Sequence, residues 1–167
     1  MNLINMSIEC EKHIYLVEEE KAFNTNIAVR KELKNGRRIL YISKIPIGVL
    51  KEQFDDESDL IDLRSLSPRP ESNCISPMNA EALKHTIQEF IENGTDGVVV
   101  ISGIEVMEKW MSFSKIKSII EYVKELALSN NYSVIITQNP LTINSHKLLI
   151  LESLADEIVY KKSKSTI

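Results

Sequence analysis

The chain has 167 residues, enough for one domain with a substantial buried core and too few for two domains of ordinary size. Hydrophobic residues make up 43% of it and charged residues 26%, a balance typical of a globular protein. The 20 basic and 24 acidic residues give a net charge of −4, which argues against a nucleic-acid-binding surface, because such a surface needs a concentration of basic side chains.

Cysteine usage and hydropathy set further limits on the class of protein. Cys10 and Cys74 are far apart in the sequence, so neither a disulfide framework nor a zinc site is indicated. Residues 1–11 lack the basic start and apolar core of a signal peptide, and no segment approaches the roughly 20 apolar residues of a membrane helix. We therefore expect a cytoplasmic protein that has no membrane partner.

The first half of the chain alternates between short apolar runs and helical patterns. The residues between 64 and 77 are rich in serine and proline, which predicts a loop inside one domain. The elements predicted before that loop are a strand at 14–17, a helix over 19–35 that ends at Gly36, a strand at 38–43, a short helix from Pro46 to about Phe54, and a weaker strand at 59–63.

The second half continues the alternation with clearer signals. Ser76 and Pro77 predict the N-cap and first position of a helix that ends near Asn93 and Gly94. The run from Gly97 to Ile101 is apolar on both faces, as is typical of a central strand in a parallel sheet. The remaining predicted elements are a helix over 112–130, a strand at 132–137, a helix over 145–154 and a closing strand at 155–160.

Strands that alternate with helices predict an α/β fold, a three-layer α/β/α sandwich around a mostly parallel central sheet. We predict a single domain over residues 13–160. An N-terminal extension over 1–12 precedes it, and a flexible tail over 161–167 follows it.

Polar residues at the predicted carboxyl ends of the strands are the candidate ligand-binding residues. Ligands of α/β folds bind at this edge of the sheet. The residues selected on this ground are Glu18, Ser43, Ser102, Glu105 and Thr137. Glu105 in the first turn of a helix is also explained by a favourable interaction with the helix dipole.

The sequence contains no complete catalytic or metal-binding motif. Ser102 follows a buried strand, as the serine of a nucleophile elbow does, but Val100 stands where that turn needs glycine. The acidic run at 55–59 lacks the glycine and the final glutamate of a calcium loop. We therefore predict no catalytic residue, no metal site and no cofactor.

One group of apolar residues is a candidate interaction patch. Trp110 lies between Met107 and Met111, and a lone tryptophan beside flexible methionines is typical of a protein contact. Packing in the core is the alternative use of these side chains. A protein partner or self-association as a homo-oligomer is the expectation that follows from the first interpretation.

Four segments carry a resemblance to a known family: YLVE at 15–18, ISP at 75–77, GVVVISGIE at 97–105, and VIIT at 134–137 with a proline soon after. They resemble the archaeal domain of unknown function 835, and the resemblance extends from His13 to Tyr160. In that family the central run usually ends in Asp-Gly-Leu-Glu, so Ser102 stands where Asp is typical, whereas Gly103 and Glu105 match. Members of the family often sit beside signalling domains, which implies a regulatory or interaction role.

The order of elements is also similar to the ATPase core of RecA and KaiC. In those proteins the first strand ends in a glycine-rich loop with Lys and Ser or Thr, which holds phosphates at a helix N-terminus. Here that position has three successive carboxylates, Glu18 to Glu20, which complement the helix dipole and would repel a triphosphate. The resemblance implies a RecA-like, degenerate P-loop NTPase fold without a Walker A loop, and assembly through the edges of such cores implies a homo-oligomer.

Two functions remain open at this point. The first is a non-catalytic signalling or protein-interaction module, and the second is a nucleotide or small-ligand binding protein that uses the carboxyl ends of the strands. A flavodoxin-like receiver is a structural alternative. That fold requires an acidic cluster after the first strand, and residues 18–20 meet this requirement weakly. It also requires a lysine after the last strand, and Lys161 and Lys162 come too late in the sequence.

Overall fold

The computed structural model describes residues 13–54 and 59–160. The predicted N-terminal extension, the predicted flexible tail and most of the acidic run at 55–59 lie outside the described residues. The described residues form a seven-stranded sheet in which every pair of neighbouring strands is parallel, with helices on both faces. The predicted α/β sandwich with a parallel central sheet is therefore confirmed.

Strands and helices alternate along most of the chain. The strands are β1 (Ile14–Glu18), β2 (Arg38–Ser43), β3 (Ile61–Leu66), β4 (Cys74–Ile75), β5 (Gly97–Ser102), β6 (Tyr132–Gln138) and β7 (Glu157–Tyr160). The helices are α1 (Phe23–Lys34), α2 (Ile47–Gln53), α3 (Ala80–Glu92), α4 (Ile104–Met107), α5 (Phe113–Asn130) and α6 (Ser145–Leu154), with a short 3₁₀ helix at Pro140–Thr142.

The strand order places β1 inside the sheet. The order is β4-β3-β2-β5-β6-β1-β7, so β1 lies between β6 and β7. Because all strands are parallel, their carboxyl ends lie at one edge of the sheet, which we call the carboxyl edge. The loop after β1 and the start of α1 lie at this edge.

The sheet separates two hydrophobic cores. Leu33 of α1 and Leu50 of α2 pack on one face, against side chains such as Tyr41 of β2. The longer helices α3, α5 and α6 pack on the other face, where Ile87 and Ile120 are buried. Every residue of β5 and β6 is buried, which explains why these strands read as continuous apolar runs in the sequence.

The first helix begins later than the sequence predicts. We predict a helix from residue 19, but α1 begins at Phe23, because the side chain of Glu19 folds back to bond the first turn instead of joining the helix. Phe23 and Ile27 are exposed, since the buried face of α1 is formed by Thr25, Ala28, Val29, Glu32 and Leu33. The predicted end is confirmed, because Gly36 has a φ of +81°.

Two predictions around residues 64–79 are wrong. The predicted loop contains the end of β3 and the two-residue strand β4, which is too short to give a periodic pattern. The cap of α3 is Asn79, whose side-chain oxygen accepts a hydrogen bond from the amide of Ala82 at 3.0 Å. Ser76 instead accepts a bond from the amide of Met78 at 3.3 Å, so it forms a turn before the helix.

None of the helices in the described ranges is long and apolar enough to cross a membrane.

Candidate functional site

A row of buried hydroxyl groups crosses four strands near the carboxyl edge. Ser43 of β2 is in register with Ser65 of β3 and with Ser102 of β5, and Ser102 is in register with Thr137 of β6. We call these four residues the hydroxyl row. Their side chains face α1 and α2, because residues two positions earlier, such as Tyr41, belong to the core on that face. Three of the predicted ligand-binding residues therefore lie together.

Most of the hydroxyl row has structural hydrogen bonds. The Ser43 hydroxyl accepts a bond from the amide of Ile45 at 3.1 Å, and the Ser65 hydroxyl donates to the carbonyl of Ile45 at 3.0 Å. These two contacts fix the loop that follows β2. The Thr137 hydroxyl is bonded to the hydroxyl of Thr25 at 2.5 Å, which joins β6 to the first turn of α1.

The start of α1 is capped by a buried carboxylate. The Oε1 atom of Glu19 accepts a hydrogen bond from the amide of Asn24 at 2.8 Å. Its Oε2 atom accepts bonds from the amide of Thr25 at 3.1 Å and from the Thr25 hydroxyl at 2.8 Å. A negative charge at a helix N-terminus interacts favourably with the helix dipole. Among the three carboxylates predicted to act there, Glu19 makes these bonds, whereas the side chain of Glu20 is exposed.

The predicted site residue Glu105 lies on the turn after β5 and forms an ion pair with Lys44. Lys44 follows β2, so the ion pair joins the ends of two neighbouring strands. The turn depends on Gly103, which has a φ of +141°. A Cβ atom at this position would lie 3.0 Å from the Cδ1 atom of Leu66 and 3.1 Å from the Cβ atom of Lys44. Glycine is therefore required by both conformation and space.

Glu18 lies at the same edge but faces α6, on the opposite side of the sheet from the hydroxyl row. Burial, a hydrogen bond with Glu152 of α6 and the charge of Glu152 together raise the pKa of its carboxyl group from 4.5 to about 7, and burial has the largest effect. Burial acts in this way because it disfavours the charged form of a carboxyl group. Glu18 and Glu152 thus form a pair of carboxyl groups that favours one bound proton.

Gln138 of β6 lies beside Glu18 in the sheet register. Its side-chain nitrogen donates to the carbonyl of Asn139 at 2.9 Å and to the hydroxyl of Thr142 at 3.3 Å. Within the described parts of the chain, two buried side-chain oxygen or nitrogen atoms have no hydrogen-bond partner, Oε2 of Glu18 and Oε1 of Gln138.

The site includes residues that the sequence reasoning did not select. Thr25 is the third residue of α1, but the helix was predicted to begin at residue 19. The sequence therefore did not place Thr25 at the helix N-terminus. Ser65 fell into a predicted loop. Gln138 and Glu152 had no local signal, because they meet Glu18 only through the tertiary fold. Across residues 13–54 and 59–160 there is no group of three or more His, Cys, Asp or Glu side chains that could hold a metal ion.

The three residues of the predicted interaction patch differ in exposure. Met107 is 2% exposed, Met111 packs against the core from its edge, and Trp110 is 51% exposed. The patch stays a prediction, and Trp110 is the member whose side chain is exposed. Glu108, which precedes Trp110, forms an ion pair with Lys147 of α6, with 2.5 Å between nitrogen and oxygen.

Comparison with models of protein families shows which family this chain belongs to. The profile of the family described as "Protein of unknown function (DUF835)" matches residues 17–154, which is most of the chain. The chain therefore belongs to the DUF835 family. No match was found among curated proteins.

The raised pKa of Glu18 predicts that stability falls as pH rises. The folded state holds the Glu18 proton up to about pH 7, whereas the unfolded chain releases it near pH 4.5. The resulting stabilisation is complete below pH 4.5 and is lost as pH rises through 7. In metal-free buffer, we expect the free energy of unfolding of the wild type to fall by roughly 2 to 3 kcal/mol relative to Glu18→Gln between pH 4.5 and pH 8.

Urea unfolding of both proteins at several pH values measures this difference. Because Glu18→Gln keeps the size of the side chain but cannot ionise, titrating groups that do not interact with Glu18 contribute equally to both curves. Two curves that stay parallel over the whole pH range would contradict the assignment of a proton to Glu18.

Proposed function

We propose that this member of the DUF835 family is a non-catalytic protein-interaction module for signalling, built on a RecA-like core that has lost nucleotide binding. The observation that supports this proposal most directly is the position of Glu19. Its carboxylate is bonded to the amides of Asn24 and Thr25 at the start of α1.

These amides belong to the helix that follows the first strand. In the ATPase cores that the sequence resembles, the corresponding helix N-terminus binds phosphate groups. Here a triphosphate would first have to displace the carboxylate of Glu19, and it would also approach the charge of Glu20. Both effects disfavour nucleotide binding, because displacement of Glu19 breaks its hydrogen bonds and the charge of Glu20 repels a triphosphate.

The surroundings of Ser102 and Glu105 favour a non-catalytic role. Ser102 is buried, and among the described residues no hydrogen bond joins its hydroxyl to a histidine or a carboxylate, the pairing that activates a serine nucleophile. Glu105 is paired with Lys44, so a general-base role would have to compete with that ion pair. These contacts support structural roles for both residues.

Trp110 is the residue on which we base the interaction role. Its large aromatic side chain is half exposed, next to a turn that is fixed by packing of Met107 in the core. Aromatic residues on a rigid support are enriched at the centres of protein interfaces. We propose that this surface mediates self-association or binds a signalling protein.

The alternative function is nucleotide or small-ligand binding at the carboxyl edge. The register of Ser43, Ser102 and Thr137 supports it, because three hydroxyl groups in a row offer both donors and acceptors. Their burial weakens it, since a ligand would need the α1 layer to move before it reached them.

Calorimetric titration with ATP and with ADP separates the two functions. We expect no binding heat for either nucleotide, with EDTA or with magnesium present in both solutions, because Glu19 occupies the amides at the start of α1. Binding at micromolar affinity would contradict the loss of nucleotide binding and support the alternative.

Sedimentation of the wild type and of Trp110→Lys tests the interaction role. We expect the wild type to associate as its concentration rises through the micromolar range and Trp110→Lys to remain monomeric, because a charged side chain would be buried in the interface. The matched control is Leu128→Lys, which changes another exposed apolar residue, on α5. A second variant, Phe23→Lys, probes the exposed face of α1.

The outcomes discriminate between surfaces. Loss of association in Trp110→Lys but not in Leu128→Lys or Phe23→Lys would support the Trp110 surface. Loss in Phe23→Lys alone would place the interface on α1, and a wild type that is monomeric at every concentration would contradict self-association.

A further inference from the structure

Glu18 and Gln138 are neighbouring buried side chains on the same face of the sheet at the carboxyl edge. They are register partners on the neighbouring strands β1 and β6. Both side chains face α6, because Leu16 and Ile136, two positions earlier on the same strands, pack in the core on that face. Glu18 is 7% exposed and Gln138 is 1% exposed.

Each of these residues has a buried oxygen atom without a donor. Oε2 of Glu18 and Oε1 of Gln138 have no hydrogen-bond partner among the described residues. A buried polar atom without a partner is costly and is rare in native proteins. One common partner, a cation or a hydrogen-bond donor, would satisfy both atoms on these adjacent side chains.

The third group at this position is a second carboxyl group. Glu152 of α6 is within hydrogen-bonding reach of Glu18. Two carboxyl groups that face one another are not both charged unless a proton or a cation compensates them, because like charges at this distance repel.

Basic side chains of the described chain do not supply that charge. Lys147 of α6 pairs with Glu108, and Lys124 of α5 pairs with Asp156 and donates to the carbonyl of Leu154. No ion pair among the described residues joins a lysine, arginine or histidine to Glu18 or Glu152. One proton shared by the two carboxyl groups would relieve their repulsion but would leave the Gln138 oxygen without a partner.

We propose that Glu18, Glu152 and Gln138 bind a hard divalent cation, Mg²⁺ or Ca²⁺, between β1, β6 and α6. Carboxylate and carboxamide oxygens are the ligands that these cations prefer, and Mg²⁺ commonly uses one or two carboxylates and keeps several waters. The partial exposure of Glu152 leaves a path for the ion and for its waters. The cation would join the first strand to the last helix of the domain.

The test uses the full chain, freed of metal with EDTA, and titrates it at pH 8 with MgCl₂ and separately with CaCl₂. We expect calorimetry to show one bound cation per chain for at least one of the two salts. We also expect the melting temperature to rise with that salt, because a ligand that binds only the folded state stabilises it.

Three variants locate the site. Glu18→Gln and Glu152→Gln each remove one ligand charge while keeping its size, and each should weaken binding at least about tenfold, since loss of even an outer-shell partner has an effect of this order. Glu20→Gln is the matched control, because it removes one charge from the exposed neighbour of the site and should bind like the wild type. Circular dichroism of each metal-free variant checks that it is folded, and Glu152→Gln alone decides the question if Glu18→Gln does not fold.

Two results would overturn the proposal. One is the absence of both heat and thermal stabilisation in the wild type up to about 10 mM of either salt, which is beyond the weakest calcium sites of proteins. The other is binding that is equally strong in the wild type, Glu18→Gln and Glu152→Gln, which would mean that the cation binds elsewhere.

Discussion

The hydrogen bonds between the Glu19 carboxylate and the first turn of α1 organise the carboxyl edge of this domain. They set the residue at which α1 begins, and Thr25 extends the same network to Thr137 on β6. Burying a carboxylate is costly unless several donors compensate it, and here two amides and one hydroxyl do so. The helix N-terminus is thereby satisfied within the chain, so its amides are not free to bind phosphate, as the amides of helix N-termini do in other proteins.

Glu18, the residue before Glu19, has the opposite chemical environment. Glu18 and Glu19 are neighbours in sequence, but Glu18 faces α6 and Glu19 bonds α1, so the sheet separates them. Glu19 meets three hydrogen-bond donors, whereas Glu18 meets the carboxyl group of Glu152. The Glu19 carboxylate is satisfied by hydrogen bonds, whereas Glu18 needs a proton or a cation. The two sides of β1 therefore have different chemistry although both carry the same type of residue.

Sequence patterns predicted the strands and the longer helices within a few residues, because buried parallel strands are apolar on both faces and amphipathic helices repeat at three and four residues. The strand at 38–43 and the helix at 145–154 have the predicted bounds. The predicted start of α1 was wrong because the hydrogen bonds from its first turn to the Glu19 side chain leave no periodic pattern in the sequence. The two-residue strand β4 was missed because it is too short, and the pairing of Glu18 with Glu152 depends on contacts between segments that are far apart in the chain.

The central claim, that Glu19 occupies the anion-binding position at the start of α1, is tested most directly by titrating Glu19→Ala and the wild type with inorganic phosphate while following thermal unfolding. If the claim is right, Glu19→Ala melts at a lower temperature than the wild type without phosphate, because it loses a helix cap. Phosphate then raises the melting temperature of Glu19→Ala more than that of the wild type, since the freed amides can donate hydrogen bonds to the anion. Equal melting temperatures without phosphate and equal responses to it would contradict the claim.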